Sequence, residues 1–188
     1  MDHNPQYRIN SHGWINGHGR IQQSPNCDSR PEGCEIAAVI VHAISLPAQH
    51  YGGNEIDELF LNTLDCDCHE DFETLKGLAV SSHFLIRRTG ALVQFVSTEQ
   101  RAWHAGVSVC MGRERVNDFS IGVELEGCDE ESFTLAQYRE LAALAKVIRW
   151  RYPGVSKHNF FGHADIAPGR KTDPGPYFDW KRFTKLLN

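Results

Sequence analysis

Residues 162–176 read Gly-His-Ala-Asp-Ile-Ala-Pro-Gly-Arg-Lys-Thr-Asp-Pro-Gly-Pro. The segment has too little periodicity for a helix or a strand, and its prolines and glycines stiffen it in some places and let it turn in others. A loop of this kind positions polar groups without a secondary element. His163 and Asp173 stand near its two ends and could converge across it. Joined by His42, which follows an apolar run, they give two imidazoles and one carboxylate, a set that satisfies zinc and leaves a fourth position open. A site of net charge near +1 can acidify a bound water from ~15.7 to about 7, which supplies a nucleophile at neutral pH without a covalent intermediate.

Hydrolysis by such a water also needs a base for the attacking water and a positive charge near the developing oxyanion. Glu124 and Lys171 have the right chemistry. Glu124 lies in Ser120-Ile121-Gly122-Val123-Glu124-Leu125-Glu126, where alternation puts Ser120, Gly122, Glu124 and Glu126 on one face. Lys171, two residues before Asp173, points to the same side as that aspartate if the loop is extended. Each residue also has a plainer reading. His163 can be a surface histidine in a solvated turn, His42 a core histidine bonded to backbone, and Glu124 and Glu126 two carboxylates on a wet strand face.

These side chains need a frame. Residues 36–41 form a continuous apolar run dense in β-branched residues, the pattern of a central strand covered on both faces, ending at His42. Residues 82–87 and 91–97 read as strands joined by the turn Arg88-Thr89-Gly90, and 120–125 as a further strand. A short helix is expected over 54–62 and a polar, acidic connection over 64–76. The clearest helix starts at Thr134, with Gln137 completing a capping box. Its apolar face is Tyr138, Leu141, Ala142, Ala145 and Ile148, and Pro153-Gly154 ends it. A last helix over 179–187 presents Trp180, Phe183 and Leu187 to the body. The pattern predicts one α/β domain over residues 1–188, a mixed central sheet flanked by helices, with 1–35 as an irregular lead-in packed on it.

Composition narrows the function classes. A net charge of -5, with 19 Lys plus Arg scattered along the chain, lacks the basic face that nucleic acid requires. The first twenty residues hold no apolar h-region, and no run approaches a membrane span, so a cytoplasmic location is expected. The six cysteines then stay reduced, and Cys66-Asp67-Cys68-His69 lacks a matching second half for a zinc site and reads as an ordinary loop.

His42, Ser81-Ser82-His83-Phe84-Leu85-Ile86, Arg101-Ala102-Trp103-His104-Ala105-Gly106-Val107-Ser108, residues 117–127 and the 162–176 loop follow one another in a familiar order. In these segments the chain resembles the type 2 amidases related to peptidoglycan recognition proteins. The likeness covers nearly the whole chain, and the ending Lys171-Thr172-Asp173-Pro174-Gly175-Pro176 is its most specific part. The resemblance implies a zinc held by His42, His163 and Asp173, with Glu124 and Lys171 catalytic. It implies that Trp103 lines the sugar and peptide groove, and that Arg115 and the Ala167 backbone hold carboxylate and amide groups of the substrate. The activity so implied is hydrolysis of the amide between the lactyl group of anhydro-N-acetylmuramic acid and L-alanine, in recycling of cell-wall fragments linked to control of β-lactamase induction. The partner is a small muropeptide, with no nucleic acid and no membrane, and the protein a monomer. Ala43, Ala79 and Asp71 stand where some members carry Asn, Arg and Tyr. Ser82 stands where phage-type members carry a catalytic Tyr, which favours Glu124 as the base and leaves His83 and His104 in supporting roles. A non-catalytic muropeptide-binding module, a periplasmic amidase acting on intact murein and a closed structural metal site are the alternatives.

Overall fold

The computed structural model describes residues 7–188, and the part of the expected lead-in at 1–6 lies outside the described residues. Where the lead-in reads as irregular, the chain instead forms four short strands: β1 (Tyr7–Ile9), β2 (Ile15–Gly17), β3 (Arg20–Ile21) and β4 (Cys27–Ser29). At two or three residues each, they are too short to leave an alternating pattern. β1 and β2 form a hairpin, β3 joins the edge of the main sheet, and β4 pairs with a strand described below.

Next come β5 (Ala38–Ile44), α1 (Glu55–Phe60), β6 (Phe84–Ile86), β7 (Leu92–Gln94), β8 (Gln100–Ala102), β9 (Val109–Cys110) and β10 (Arg113–Glu114). The chain ends with β11 (Ser120–Glu126), α2 (Leu135–Arg151), β12 (Phe160–Gly162), α3 (His163–Ile166) and α4 (Trp180–Leu187). The acidic connection after α1 contains a 3-10 turn at Glu70–Leu75. β4 pairs with β8, and β9 with β10.

The main sheet has the order β12-β5-β11-β6-β7-β3. It is mixed: β6 and β7 are antiparallel, while the other neighbours run parallel. Its two seven-residue strands, β5 and β11, lie side by side, and their period-2 geometry divides the side chains between two faces. Val39, Val41, Ile121, Val123 and Leu125 join the core beneath α2 and α4. Ala38, Ile40 and His42, with Ser120, Gly122, Glu124 and Glu126, take the other face. That face carries two smaller apolar clusters, one around Ile56, Phe60, Leu85 and Phe95 and one around Ala38, Ile40, Phe119 and Ile166.

α2 begins as its sequence dictates. Thr134 Oγ1 accepts from the Gln137 amide at 3.1 Å, and Gln137 Oε1 accepts from the Thr134 amide at 3.0 Å. A cap of this kind contributes about 1 kcal/mol. Tyr138, Leu141, Ala142, Ala145 and Ile148 are all buried against the sheet. In α4, Asp179 caps the first turn, and Phe183 and Leu187 are buried with Trp180 packed beside them.

Two further expectations are corrected. β5 runs two residues past His42, because Ala43 and Ile44 continue the ladder with Leu125 and Glu126. The histidine broke the apolar run without ending the strand, since its face opens on a cleft. The 162–176 segment contains one helical turn, α3, which is too short to leave a periodicity.

Candidate metal centre

β5 delivers His42 to the cleft face, and the parallel strand β12 runs beside it into α3, so His163 arrives one residue beyond Gly162, itself in register with Val41. The Asp165 carboxylate accepts from the Gly162 amide at 2.7 Å and caps this turn. Asp173 returns to the same place because the Ala164 amide donates to the Asp173 carbonyl at 2.9 Å. Gly162 permits that return: a Cβ there would lie 2.9 Å from Pro174 Cδ.

His42 Nδ1 and His163 Nδ1 are 3.0 Å apart, and each is 3.2 Å from Asp173 Oδ2. The three atoms form a nearly regular triangle. Ligand atoms around a small tetrahedral cation with bonds of about 2.0–2.1 Å lie roughly 3.3 Å apart, so the triangle has the size of one face of such a site. Their chemistry fits as well. His163 Nε2 lies 3.1 Å from the Ala105 carbonyl, which only accepts, so this nitrogen carries the proton and Nδ1 turns its lone pair to the triangle. Burial depresses the His42 imidazole pKa and keeps the ring neutral. Neutral imidazoles and an ionised carboxylate are the forms that bind a metal ion. Among the described residues this trio is the set of His, Cys, Asp and Glu donors that could hold one.

The two carboxylates of β11 part company. Neither is on a wet face: Glu126 and Glu124 are both buried. Glu126 accepts from the amides of Gly52 and Arg88 at 2.7 and 2.8 Å and pairs with Arg87 at 3.0 Å, the environment of a structural anion. Glu124 Oε2 is buried with no hydrogen-bond partner. Burial, with the nearby Asp173 charge, pushes the Glu124 pKa well up, and Lys171 opposes the shift. An orphaned buried carboxylate oxygen is costly unless it has a task.

A cleft bordered by the apolar cluster of Leu59 and Phe60 has a volume of about 250 Å³ and is lined by His42, His163, Asp173, Glu124, Lys171 and Trp103, among others. Lys171 is exposed and also lines a wider polar recess with Asp129 and Glu130. Arg115 and Ala167 are not among the lining residues. Arg115 is exposed, with a left-handed backbone (φ 57°), and forms an ion pair with Asp118, its Nε 3.1 Å from the carboxylate. The Ala167 amide donates to the His163 carbonyl, and its own carbonyl accepts from the amides of Arg170 and Lys171. Ala43 lines the cleft, Ala79 a neighbouring apolar pocket, and Asp71 accepts from the Ala48 amide at 3.1 Å.

Sequence reasoning missed the apolar floor of the cleft, which Leu46, Leu59, Phe60 and Val80 provide. Only the apolar side of the short helix α1 could have pointed to it. It also left His104 without a partner, whereas His104 Nδ1 lies 2.9 Å from His42 Nε2.

Known proteins share this architecture. The chain is 51% identical over 176 residues to the 1,6-anhydro-N-acetylmuramyl-L-alanine amidase AmpD of Escherichia coli (strain K12), covering 94% of this chain and 95% of that protein. The crystal structure of a Se-Met AmpD derivative superposes with a TM-score of 0.91 at 49% identity, over 95% of this chain and 98% of the other. AmiD from Escherichia coli, solved as a complex with the substrate anhydro-N-acetylmuramic acid-L-Ala-D-gamma-Glu-L-Lys, matches with a TM-score of 0.60 at 29% identity, over 96% of this chain and 65% of that one. A family model for N-acetylmuramoyl-L-alanine amidases matches residues 32–176, from ahead of β5 to the end of the loop that carries Asp173, and the chain belongs to that family.

Proposed function

We propose that this chain is a zinc-dependent amidase that cleaves the bond between the lactyl group of anhydro-N-acetylmuramic acid and L-alanine of the stem peptide, on small muropeptides being recycled in the cytoplasm. The observation that carries the reading is the triangle of His42 Nδ1, His163 Nδ1 and Asp173 Oδ2, with edges of 3.0 to 3.2 Å, beside the unpartnered carboxylate oxygen of Glu124. Nitrogen donors with one carboxylate suit zinc, and three protein ligands leave room for substrate. Bound there, zinc would lower the pKa of a water and polarise the scissile carbonyl.

The chain's own residues supply the rest. Glu124 accepts the proton of the attacking water and returns one to the leaving amine, a task suited to a carboxylate whose pKa burial has raised. Lys171, on the rim of both recesses, sets a positive charge near the developing oxyanion. Trp103 offers a ring face for the sugar. Arg115 pairs with Asp118 on its Nε side only, and we assign its other guanidinium donors to a substrate carboxylate. The Ala167 backbone, expected to hold amide groups of the substrate, is buried and engaged within its own turn, and we assign it no contact.

No helix among the described residues is long and apolar enough to cross a membrane. The cytoplasmic assignment draws on the six free cysteines, which suit a reducing compartment. Mass spectrometry of digests tests the reaction. An anhydro-muropeptide should yield free anhydro-sugar and intact peptide, and exhaustive chelation should stop the reaction. Turnover that survives chelation, with no stoichiometric transition metal by elemental analysis, would refute the proposal.

A further inference from the structure

We propose that His104 is a positioning residue for the metal centre: it fixes the tautomer of His42 through a one-way chain of hydrogen bonds anchored on the Val116 carbonyl. The inference rests on the reading of His42 as a metal ligand.

The direction of the chain follows from its far end. A carbonyl oxygen only accepts, so at 2.7 Å Ser120 Oγ must donate to Val116 O. The hydroxyl proton is thereby spent, and what Ser120 Oγ turns to His104 Nε2, 3.2 Å away, is a lone pair. His104 therefore carries its proton on Nε2 and presents a bare Nδ1. That nitrogen lies 2.9 Å from His42 Nε2, which must be the donor. With its proton on Nε2, His42 presents a bare Nδ1 to His163 and Asp173. The opposite arrangement would need Ser120 to donate to His104, which would give up the short bond to the buried Val116 carbonyl and leave that oxygen only the longer 3.3 Å bond from the Phe119 amide. His163 obtains the same tautomer in one step, from the Ala105 carbonyl. His42 lies on a central strand with no carbonyl within reach of its Nε2, and it reaches one through two intervening side chains.

The chain has a built seat. Asn117 Oδ1 accepts from the amides of Ala105 and His104 at 2.8 and 3.3 Å and holds the backbone that carries the ring. Gly122 leaves the space for the imidazole: a Cβ there would lie 2.5 Å from His104 Cγ.

The test uses the full chain, the imidazole ¹⁵N spectrum of the metal-free protein, and zinc affinity by competition with a chelator. His42 in the parent should show a protonated Nε2 and a bare Nδ1. In H104F the ring volume stays but the acceptor is lost, so zinc affinity should fall about 10–100-fold and the His42 tautomers should mix. H104Q, whose Oε1 can accept from His42 while its amide donates to Ser120, should restore most of both. S120A removes a single oxygen and should move both readouts in the direction of H104F, which covers the case in which H104F does not fold. Parental zinc affinity together with a parental His42 tautomer, in either variant that folds, overturns the inference. H42A separates the two levels: if it loses zinc while H104F keeps it, the relay alone fails, and if H42A itself binds zinc like the parent, the ligand assignment fails and the relay with it.

Discussion

Glu124 stands opposite His42 across the parallel ladder of β5 and β11. Register partners on neighbouring strands leave the sheet on the same face about 4.8 Å apart, so the candidate base and a candidate ligand are adjacent by backbone pairing alone. A slip of one residue would put Val123 or Leu125 there instead and turn the carboxylate into the core beneath α2. The relationship predicts a separation of functions in Glu124→Gln. The variant should bind metal like the parent, because Glu124 is not one of the three donors of the triangle. Turnover should fall by about 10²–10⁴-fold, the range for loss of a general base. Titration with zinc beside steady-state kinetics checks both halves, and loss of metal would make Glu124 a ligand.

Asp173→Ala should behave in the opposite way. The backbone bond from the Ala164 amide to the residue-173 carbonyl does not involve the side chain, so the loop keeps its path. One corner of the triangle goes, and two facing imidazoles make a weak site. Hydrolysis and metal retention should disappear together, with a metal-to-protein ratio near zero after dialysis and a near-parental melting temperature. A variant that turns over at the parental rate would show that the ligand set is different.

What could be read from the sequence depended on how local each signal was. α2 was legible because Thr134, Gln137 and five apolar residues at helical spacing all lie within the helix and its cap. His42, His163 and Asp173 could be named as a ligand set from residue type and from the pattern of the 162–176 loop. That they converge depends on β12 lying beside β5, which no spacing in the chain displays. The contrast between Glu124 and Glu126 was out of reach. Alternation put both on one face, but the partners that neutralise Glu126 come from residues 52, 87 and 88, remote in the chain. His104 was equally hidden, since its role depends on a glycine 18 residues away making room for its ring.

The first described strand makes a pH prediction. Tyr7 Oη donates to Glu140 Oε1 at 2.8 Å across the interface of β1 with α2. Burial raises the Glu140 pKa, and the bond from Tyr7 and the charge of His18 only partly offset it. The folded state thus binds this proton more tightly than the unfolded chain does. Its stabilising contribution is complete below the ordinary glutamate pKa and is lost as pH rises through the folded-state value. Glu140→Gln keeps an acceptor for Tyr7 and carries no charge. Its melting temperature relative to the parent should therefore climb between pH 4 and pH 8, and a difference that stays flat across that window would contradict the burial argument.

Gly122 offers a prediction about space rather than charge. It sits in the middle of β11, fully covered, and its backbone is ordinary strand, so alanine meets no conformational penalty there. The obstacle is the His104 ring, with Cγ and Nδ1 at 2.5 and 2.7 Å from where the methyl group would be. The ring is not the free end of a flexible chain, since its backbone is bonded to Asn117 and its two nitrogens face His42 and Ser120. Gly122→Ala should cost about 1–3 kcal/mol, as overpacking of a tight core does. It should also weaken zinc binding, because the ring can yield only by leaving its bond to His42. Denaturant unfolding of the metal-free protein measures the first effect and chelator competition the second. A stability loss with parental zinc affinity would mean that the ring moves without disturbing His42.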